Sequence, residues 1–151
     1  MIQEIALLLS SATLGIFLGA QTVEAFLFVP NWKNLEAEDF YDFYQHYGDK
    51  IHHFFAPLTI VTTLTVLFTV GYCLMNSTKD FALFGLLGLS TIAFFSTYFL
   101  YFKKANQRFY DRSIAQEELA QELVKWGNWH WVRILFEFIA FGIALYLLME
   151  N

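Results

Sequence analysis

Four long apolar runs, separated by polar segments, dominate the sequence. They cover residues 5–29, 54–75, 81–102 and 131–149. An α-helix rises about 1.5 Å per residue, so about 20 apolar residues cross a hydrocarbon layer roughly 30 Å thick. The pattern predicts an all-α fold, a four-helix transmembrane bundle, in which residues 1–151 form a single integral membrane domain.

The two longer polar segments between the runs also carry apolar residues at helical spacing. The first follows an expected break at Pro30, and its apolar positions are Leu35, Phe40, Phe43, Tyr44 and Tyr47. In the second, Ile114, Leu119 and Leu123 recur with a period near 3.6. We therefore expect two separate amphipathic helical segments, lying along the membrane surface or against the bundle. Pro57 is then expected in the first turn of the second span, where its missing N–H does little harm.

Composition supports a membrane protein and excludes several other classes. The chain is 57% hydrophobic and 15% charged, whereas soluble domains are about 45–50% apolar and about 25% charged. Its net charge of -5 argues against a nucleic-acid partner. The single cysteine, Cys73, excludes a disulfide framework and a thiolate metal site. The expected partners are the lipid bilayer and a small molecule.

The distribution of basic residues predicts the orientation in the cell membrane. Lys79 lies in the short turn between the second and third runs, whereas seven of the nine Lys and Arg lie in or beside the longer polar segments: Lys33, Lys50, Lys103, Lys104, Arg108, Arg112 and Lys125. Loops rich in Lys and Arg stay in the cytoplasm. We therefore predict a multi-pass protein with both long loops cytoplasmic and both termini on the opposite side.

Ionisable and polar residues occur at one predicted depth of all four helices. Glu24 lies inside the first apolar run, His52 opens the second, Asn106 follows the third, and His130 and Arg133 open the fourth. An ionisable group near the centre of a spanning helix costs about 2.5–3.5 kcal/mol, and less toward its ends. We therefore expect these side chains to converge inside the bundle.

Two interpretations of this cluster are open. In the structural one, Arg133 and Glu137, four residues apart, neutralise each other, and Glu24 is a third partner that fixes helix register. In the functional one, the cluster marks a substrate or ion pathway. Aromatic residues make up 20% of the chain, and the candidates for binding a flat, apolar aromatic molecule are Trp126, Trp129 and Tyr98.

The last third of the chain carries a family resemblance. Asn106, a Trp at 126 or 129, and His130-x-x-Arg133 within WGNWHWVRILFEFIAFGIAL resemble the pattern of small four-helix membrane proteins that include the fungal anthrone oxygenases and many uncharacterised bacterial members. The chain has Lys104-Ala105 where that pattern has a Pro-x lead into the Asn. The resemblance implies an oxygenase that acts on an apolar aromatic or quinone-type substrate.

For such a reaction His130 is the expected general base, with Arg133 and Asn106 stabilising an oxyanion and Glu24 orienting His130. No cofactor is required in this scheme. A metal variant uses Glu24, His52 and His130, a two-histidine, one-carboxylate set like those of non-haem iron sites. As an interfacial residue, His130 is expected to contribute little to packing.

A non-catalytic protein is the alternative function. In a small transporter or an accessory subunit, the same polar cluster would be a gate, a docking site or a packing feature. The sequence leaves open the substrate, the presence of a metal, the involvement of O2, and whether the protein forms a homo-oligomer.

Overall fold

Four long helices make up the computed structural model, which describes residues 1–76 and 80–150. They are α1 (Ile2–Lys33), α2 (Ala37–Asn76), α3 (Phe81–Tyr110) and α4 (Gln116–Met149). Each is long and apolar enough to cross a membrane, by length and composition. The all-α class and the four long apolar helices are thus confirmed. The predicted short turn that holds Lys79 includes residues 77–79, outside the described part of the chain.

The helices form a bundle in which sequence neighbours pack together. α1 packs against α2, α2 against α3 and α3 against α4, and α4 closes the bundle against α1. The short connections make consecutive helices antiparallel. Residues far apart in sequence, at the same level of different helices, can therefore share one site.

The polar segments extend the long helices and do not form separate ones. Residues 37–53 are continuous with the apolar part of α2, 103–110 continue α3, and 116–130 open α4. No strong helix breaker interrupts these segments, and their apolar positions keep the spacing of the helix that they extend. The expectation of two separate amphipathic helices was wrong in this respect.

Both prolines also lie elsewhere than expected. Pro57 is inside α2, which begins at Ala37, so the carbonyl of His53 has no helical N–H partner. The predicted break at Pro30 is absent, because α1 continues to Lys33. The helix continues through Pro30 because a wider, π-helical turn directly precedes this proline.

Two π-helical turns interrupt the α-helical pattern. One covers Glu24–Phe28 of α1 and the other Tyr98–Phe102 of α3. The N–H of Val29 donates to the carbonyl of Glu24, five residues earlier. Such turns hold one extra residue and often occur at functional sites.

Two hydrophobic cores lie at different levels of the bundle. The lower core contains Leu7, Leu14, Phe17, Val66, Val70, Cys73, Phe84, Leu87, Phe94, Ala140, Ala144 and Leu147. The upper core is rich in aromatic residues and contains Val29, Trp32, Phe40, Tyr41, Tyr44, Tyr101, Phe102, Ala105, Phe109, Ile114, Leu119, Leu123 and Trp126. Between them lie the residues of a polar layer, Gln21, Glu24, Thr97, His130, Arg133 and Glu137, of which all but Arg133 are buried.

Candidate functional site

A cavity of about 330 Å³ lies at the level of the polar layer. All four helices contribute to its wall, which is mostly aromatic and aliphatic. Its polar lining includes Glu24, His52, Asn106 and Arg133. Mostly apolar pockets with a few convergent polar groups are typical of small-molecule sites.

Glu24 reaches this wall from the π-helical turn of α1. Glu24 is 4% exposed. The extra residue in the π-helical turn changes the direction of the side chains that follow it. His130 Nε2 lies 3.8 Å from one Glu24 carboxylate oxygen, which is beyond hydrogen-bond distance. Glu24 therefore presents its carboxylate to the cavity with a histidine close by.

His130 is fully buried and is not among the residues that line the cavity. Its Nε2 lies 3.0 Å from the Gln21 carbonyl oxygen, and a carbonyl only accepts, so Nε2 carries the hydrogen. Its Nδ1 is buried without a hydrogen-bond partner among the described residues. The ring stacks on Trp126 at 5.1 Å and 21°. His130 thus packs behind the wall, and the expectation that it contributes little to packing was wrong.

Arg133 connects three helices at the cavity. Its Nε donates to Thr97 Oγ1 at 3.2 Å, and its Nη1 donates to Gln21 Oε1 at 3.5 Å. The guanidinium carbon lies 4.0 Å from the centroid of the Phe102 ring, a cation–π contact. This cation is therefore both held in place and exposed to a ligand in the cavity.

Asn106 has its orientation fixed by Trp126. The indole Nε1 of Trp126 lies 2.9 Å from Asn106 Oδ1, and an indole nitrogen can only donate. Asn106 lines the cavity, and this bond leaves its NH2 group as the donor that a ligand can use.

The remaining candidates divide into two groups. Trp126 and Tyr98 line the cavity, whereas Trp129 is outside the wall and stacks on Tyr101 at 5.4 Å and 7°.

His52 lines the cavity from an exposed position on α2. Within residues 1–76 and 80–150, no three His, Cys, Asp or Glu side chains are placed to hold a metal ion. Glu24, His52 and His130 therefore do not form a ready metal site.

Three residues at the site, Tyr44, Gln21 and Thr97, were not among the site residues expected from the sequence. Tyr44 lines the cavity but lies in the segment that was expected to be an amphipathic helix along the membrane surface or against the bundle. Gln21 accepts hydrogen bonds from both His130 and Arg133. Its position one turn before Glu24 was the sequence feature that could have identified it as a site residue. Thr97 gave no such signal, because hydroxyls inside apolar helices often bond only to the preceding turn.

The arrangement combines a carboxylate with two hydrogen-bond donors inside a largely apolar cavity. Glu24 supplies the carboxylate, and the Asn106 amide and Arg133 are the donors. Such a set can remove a proton from a bound molecule and stabilise the negative charge that develops on its oxygen. Comparison of the chain with protein-family models, with curated proteins and with solved structures finds no match.

Proposed function

We propose that this protein is a membrane-embedded, anthrone-oxygenase-like enzyme that acts on an apolar aromatic or quinone-type compound. One observation carries the proposal: a cavity with an aromatic wall brings Glu24, Asn106 and Arg133 together within the bundle. The polar residues of the family resemblance, Asn106 and His130-x-x-Arg133, all lie at or next to this cavity.

The exposed surface of the helices supports the membrane part of the proposal. Large apolar side chains more than half exposed include Leu8, Ile16, Leu64, Phe68, Leu89, Leu135 and Phe138. Apolar exposure on this scale is rare in soluble monomers and is typical of a membrane surface. The helices cross the cell membrane with the lower core inside the bilayer, and their polar extensions project into the cytoplasm.

The reaction begins with proton removal from a ring carbon activated by a neighbouring carbonyl. Glu24 accepts this proton, and the negative charge moves to the carbonyl oxygen, where Arg133 and the Asn106 amide stabilise it. The carbanion then reacts with O2, and protonation gives a hydroperoxide. Loss of water converts the former CH2 group into a second carbonyl.

Glu24 is the better candidate for the base, because it faces the cavity and His130 does not. His130 is then a positioning residue. Its Nε2–H is committed to the Gln21 carbonyl at 3.0 Å, its ring stacks on Trp126, and Nε2 lies 3.8 Å from a Glu24 carboxylate oxygen. The sequence predicted the reverse assignment, in which His130 was the base and Glu24 oriented it.

Turnover of an anthrone by the purified protein tests this proposal. The measurements are O2 uptake and quinone formation in detergent, with ligand binding followed by quenching of tryptophan fluorescence. Glu24→Gln should lower turnover at least about 100-fold, the usual contribution of a general base, and leave binding nearly unchanged. Glu4→Gln is the matched control, because Glu4 lies on the same helix in an exposed position. Unchanged turnover in Glu24→Gln would overturn the catalytic role.

The hydrogen bonds of Arg133 favour the non-catalytic alternative as the second candidate. Its contacts with Thr97 and Gln21 hold α4 to α3 and α1, as expected of a structural cluster or a gate. In that case Arg133→Ala should lower the free energy of unfolding of the unliganded protein by several kcal/mol, because it leaves Thr97 and Gln21 without this buried partner. The anthrone would then bind without turnover in the native protein.

A further inference from the structure

The exposed residues of its lining indicate that the cavity opens to the side of the bundle, between α2 and α3. From α1 it is lined by Phe17 and Glu24, which are at most 4% exposed. The strongly exposed lining residues are Ile60 of α2, at 51%, and Phe99 of α3, at 60%, with His52 toward the polar end of α2. We call the opening between Ile60 and Phe99 the side mouth.

The side mouth is apolar, whereas the inner wall holds the polar groups. Phe95, half-buried, lies beside Ile60 and Phe99 in the lining of the cavity. Leu64 lies one turn beyond Ile60 on the same exposed face and is 63% exposed. In a bilayer this opening faces acyl chains, so an apolar chain can pass through it without meeting water.

The size of the cavity limits what fits inside. A cavity of about 150 Å³ is enough for one benzene ring. Fused rings share atoms, so 330 Å³ accommodates about two to three fused rings. A long alkyl or isoprenoid chain does not fit beside them. A ligand that carries both must place the rings at Glu24 and Arg133 and let the chain leave through the side mouth.

We propose that the ligand of this cavity is a membrane lipid with a quinone-type ring system and a long apolar chain. The rings occupy the cavity, and the chain leaves through the side mouth to lie along α2 and α3 in the bilayer. This inference rests on the proposed function, since it assigns a ligand class to the same site. It adds that the protein takes its ligand from the membrane and not from water.

A series of ligands with one ring and different chains tests the inference. The probes are 2-methyl-1,4-naphthoquinone without a chain and the same ring with a geranyl or a geranylgeranyl chain. Binding is measured by tryptophan quenching in lipid nanodiscs and corrected for partition of each probe into the bilayer. The chained probes should bind about tenfold more tightly than the ring alone, because part of the chain is buried at the side mouth.

Substitutions at the side mouth provide the second arm. Ile60→Trp narrows the opening and should weaken binding of the chained probes about tenfold more than binding of the ring alone. Leu64→Trp is the matched control, since it lies on the same face but outside the cavity lining. Phe99→Ala, on the opposite side of the side mouth, gives a second variant if Ile60→Trp does not fold; it should reduce the advantage of the chain by removing a contact.

The outcomes separate this inference from the proposed function. Equal affinity for ring and chained probes, or equal weakening of both by Ile60→Trp, would overturn the chain exit and leave the ring site intact. Loss of turnover in Glu24→Gln together with equal probe affinities would retain the enzyme and reject the lipid ligand. Failure of every naphthoquinone probe to bind, while anthrone is still turned over, would also reject the lipid ligand and retain the enzyme. Failure of both the probes and anthrone to bind the native protein would overturn both.

Discussion

The hydrogen bond from Trp126 to Asn106 determines which end of the amide faces the ligand. Trp126→Phe keeps an aromatic ring in the cavity wall but removes the donor at 2.9 Å from Asn106 Oδ1. The freed amide can then rotate and present its oxygen to a ligand oxygen. We predict that this variant weakens ligand binding about 2- to 10-fold, the range of one neutral hydrogen bond.

Titration of ligand against tryptophan fluorescence measures this effect. Trp129→Phe is the control, because Trp129 stacks on Tyr101 outside the wall. Both variants lose one indole, so their signals remain comparable. Equal affinities for the two variants would show that the Asn106 amide does not contact the ligand.

Substitution of His130 should affect stability before it affects chemistry. His130→Ala leaves a void next to Trp126 and removes the hydrogen bond that Nε2 donates to the Gln21 carbonyl. We predict a loss of about 2–4 kcal/mol in the free energy of unfolding, typical of large-to-small changes in a core. Thermal unfolding in detergent measures it. An unchanged melting temperature would place His130 outside the packed interior.

Sequence reasoning predicted the membership of the polar cluster better than its geometry. Glu24, Asn106, His130 and Arg133 could be singled out because polar groups inside apolar helices are expensive and therefore conspicuous. Which of them faces the cavity depends on helix rotation, and the two π-helical turns alter that rotation. Trp126 and Trp129 illustrate the limit, since three residues separate a wall residue from one that stacks on Tyr101.

At the level of helices, the π-helical turn Glu24–Phe28 should tolerate a deletion that a regular α-helix cannot. A π-helical turn holds one extra residue, so removing it restores α-helical geometry without rotating the flanking segments. Leu27 is 63% exposed, so its side chain contributes little. We predict that deletion of Leu27 leaves a folded bundle with a misplaced Glu24 and strongly reduced turnover.

Deletion of Ile16 is the control for this experiment. It is equally exposed, at 63%, but lies in a regular α-helical part of α1. Its loss rotates one flank of the helix by about 100° relative to the other and should disrupt the fold. Circular dichroism and size-exclusion chromatography compare the two. Similar damage from both deletions would argue that the π-helical turn has no special tolerance.

Helix number and class followed from hydropathy, but helix length did not. The predicted spans end where polar residues begin, because hydropathy reports on burial in lipid and is silent on backbone continuity. The upper core explains the difference: Phe40 and Tyr44 of α2 are buried against Phe109 of α3. Packing outside the apolar runs therefore extends the helices beyond them. A helix of 40 residues is about 60 Å long, twice the hydrocarbon thickness.

For the whole molecule, we predict that the connection between α3 and α4 lies in the cytoplasm and both termini on the other side. The positive residues of the long polar segments give this orientation. An insertion into α4 would interrupt the helix, so the labelling site is the exposed Ser113 in the connection between α3 and α4. A cysteine at Ser113 and one at Glu150 should react with an impermeant maleimide from opposite faces.

Cys73 is the single native cysteine and is buried, so Cys73→Ser gives a clean background for this labelling. Right-side-out and inverted vesicles provide the two faces. Labelling of Ser113→Cys and Glu150→Cys from the same face would contradict the crossing of the membrane by α4. Labelling from opposite faces in the reverse sense would contradict only the cytoplasmic assignment.

The helical irregularities of the bundle occur near the cavity. Pro57 lies beside the lining residues of α2, and the π-helical turns of α1 and α3 supply Glu24, Tyr98 and Phe102 to the wall. The backbone is thus least regularly bonded where a ligand would add contacts. Anything that binds only the folded state raises its stability by RT ln(1 + [L]/Kd). The protein should therefore survive extraction from its membrane longest when its ligand is carried along, and delipidation would shorten its lifetime in detergent.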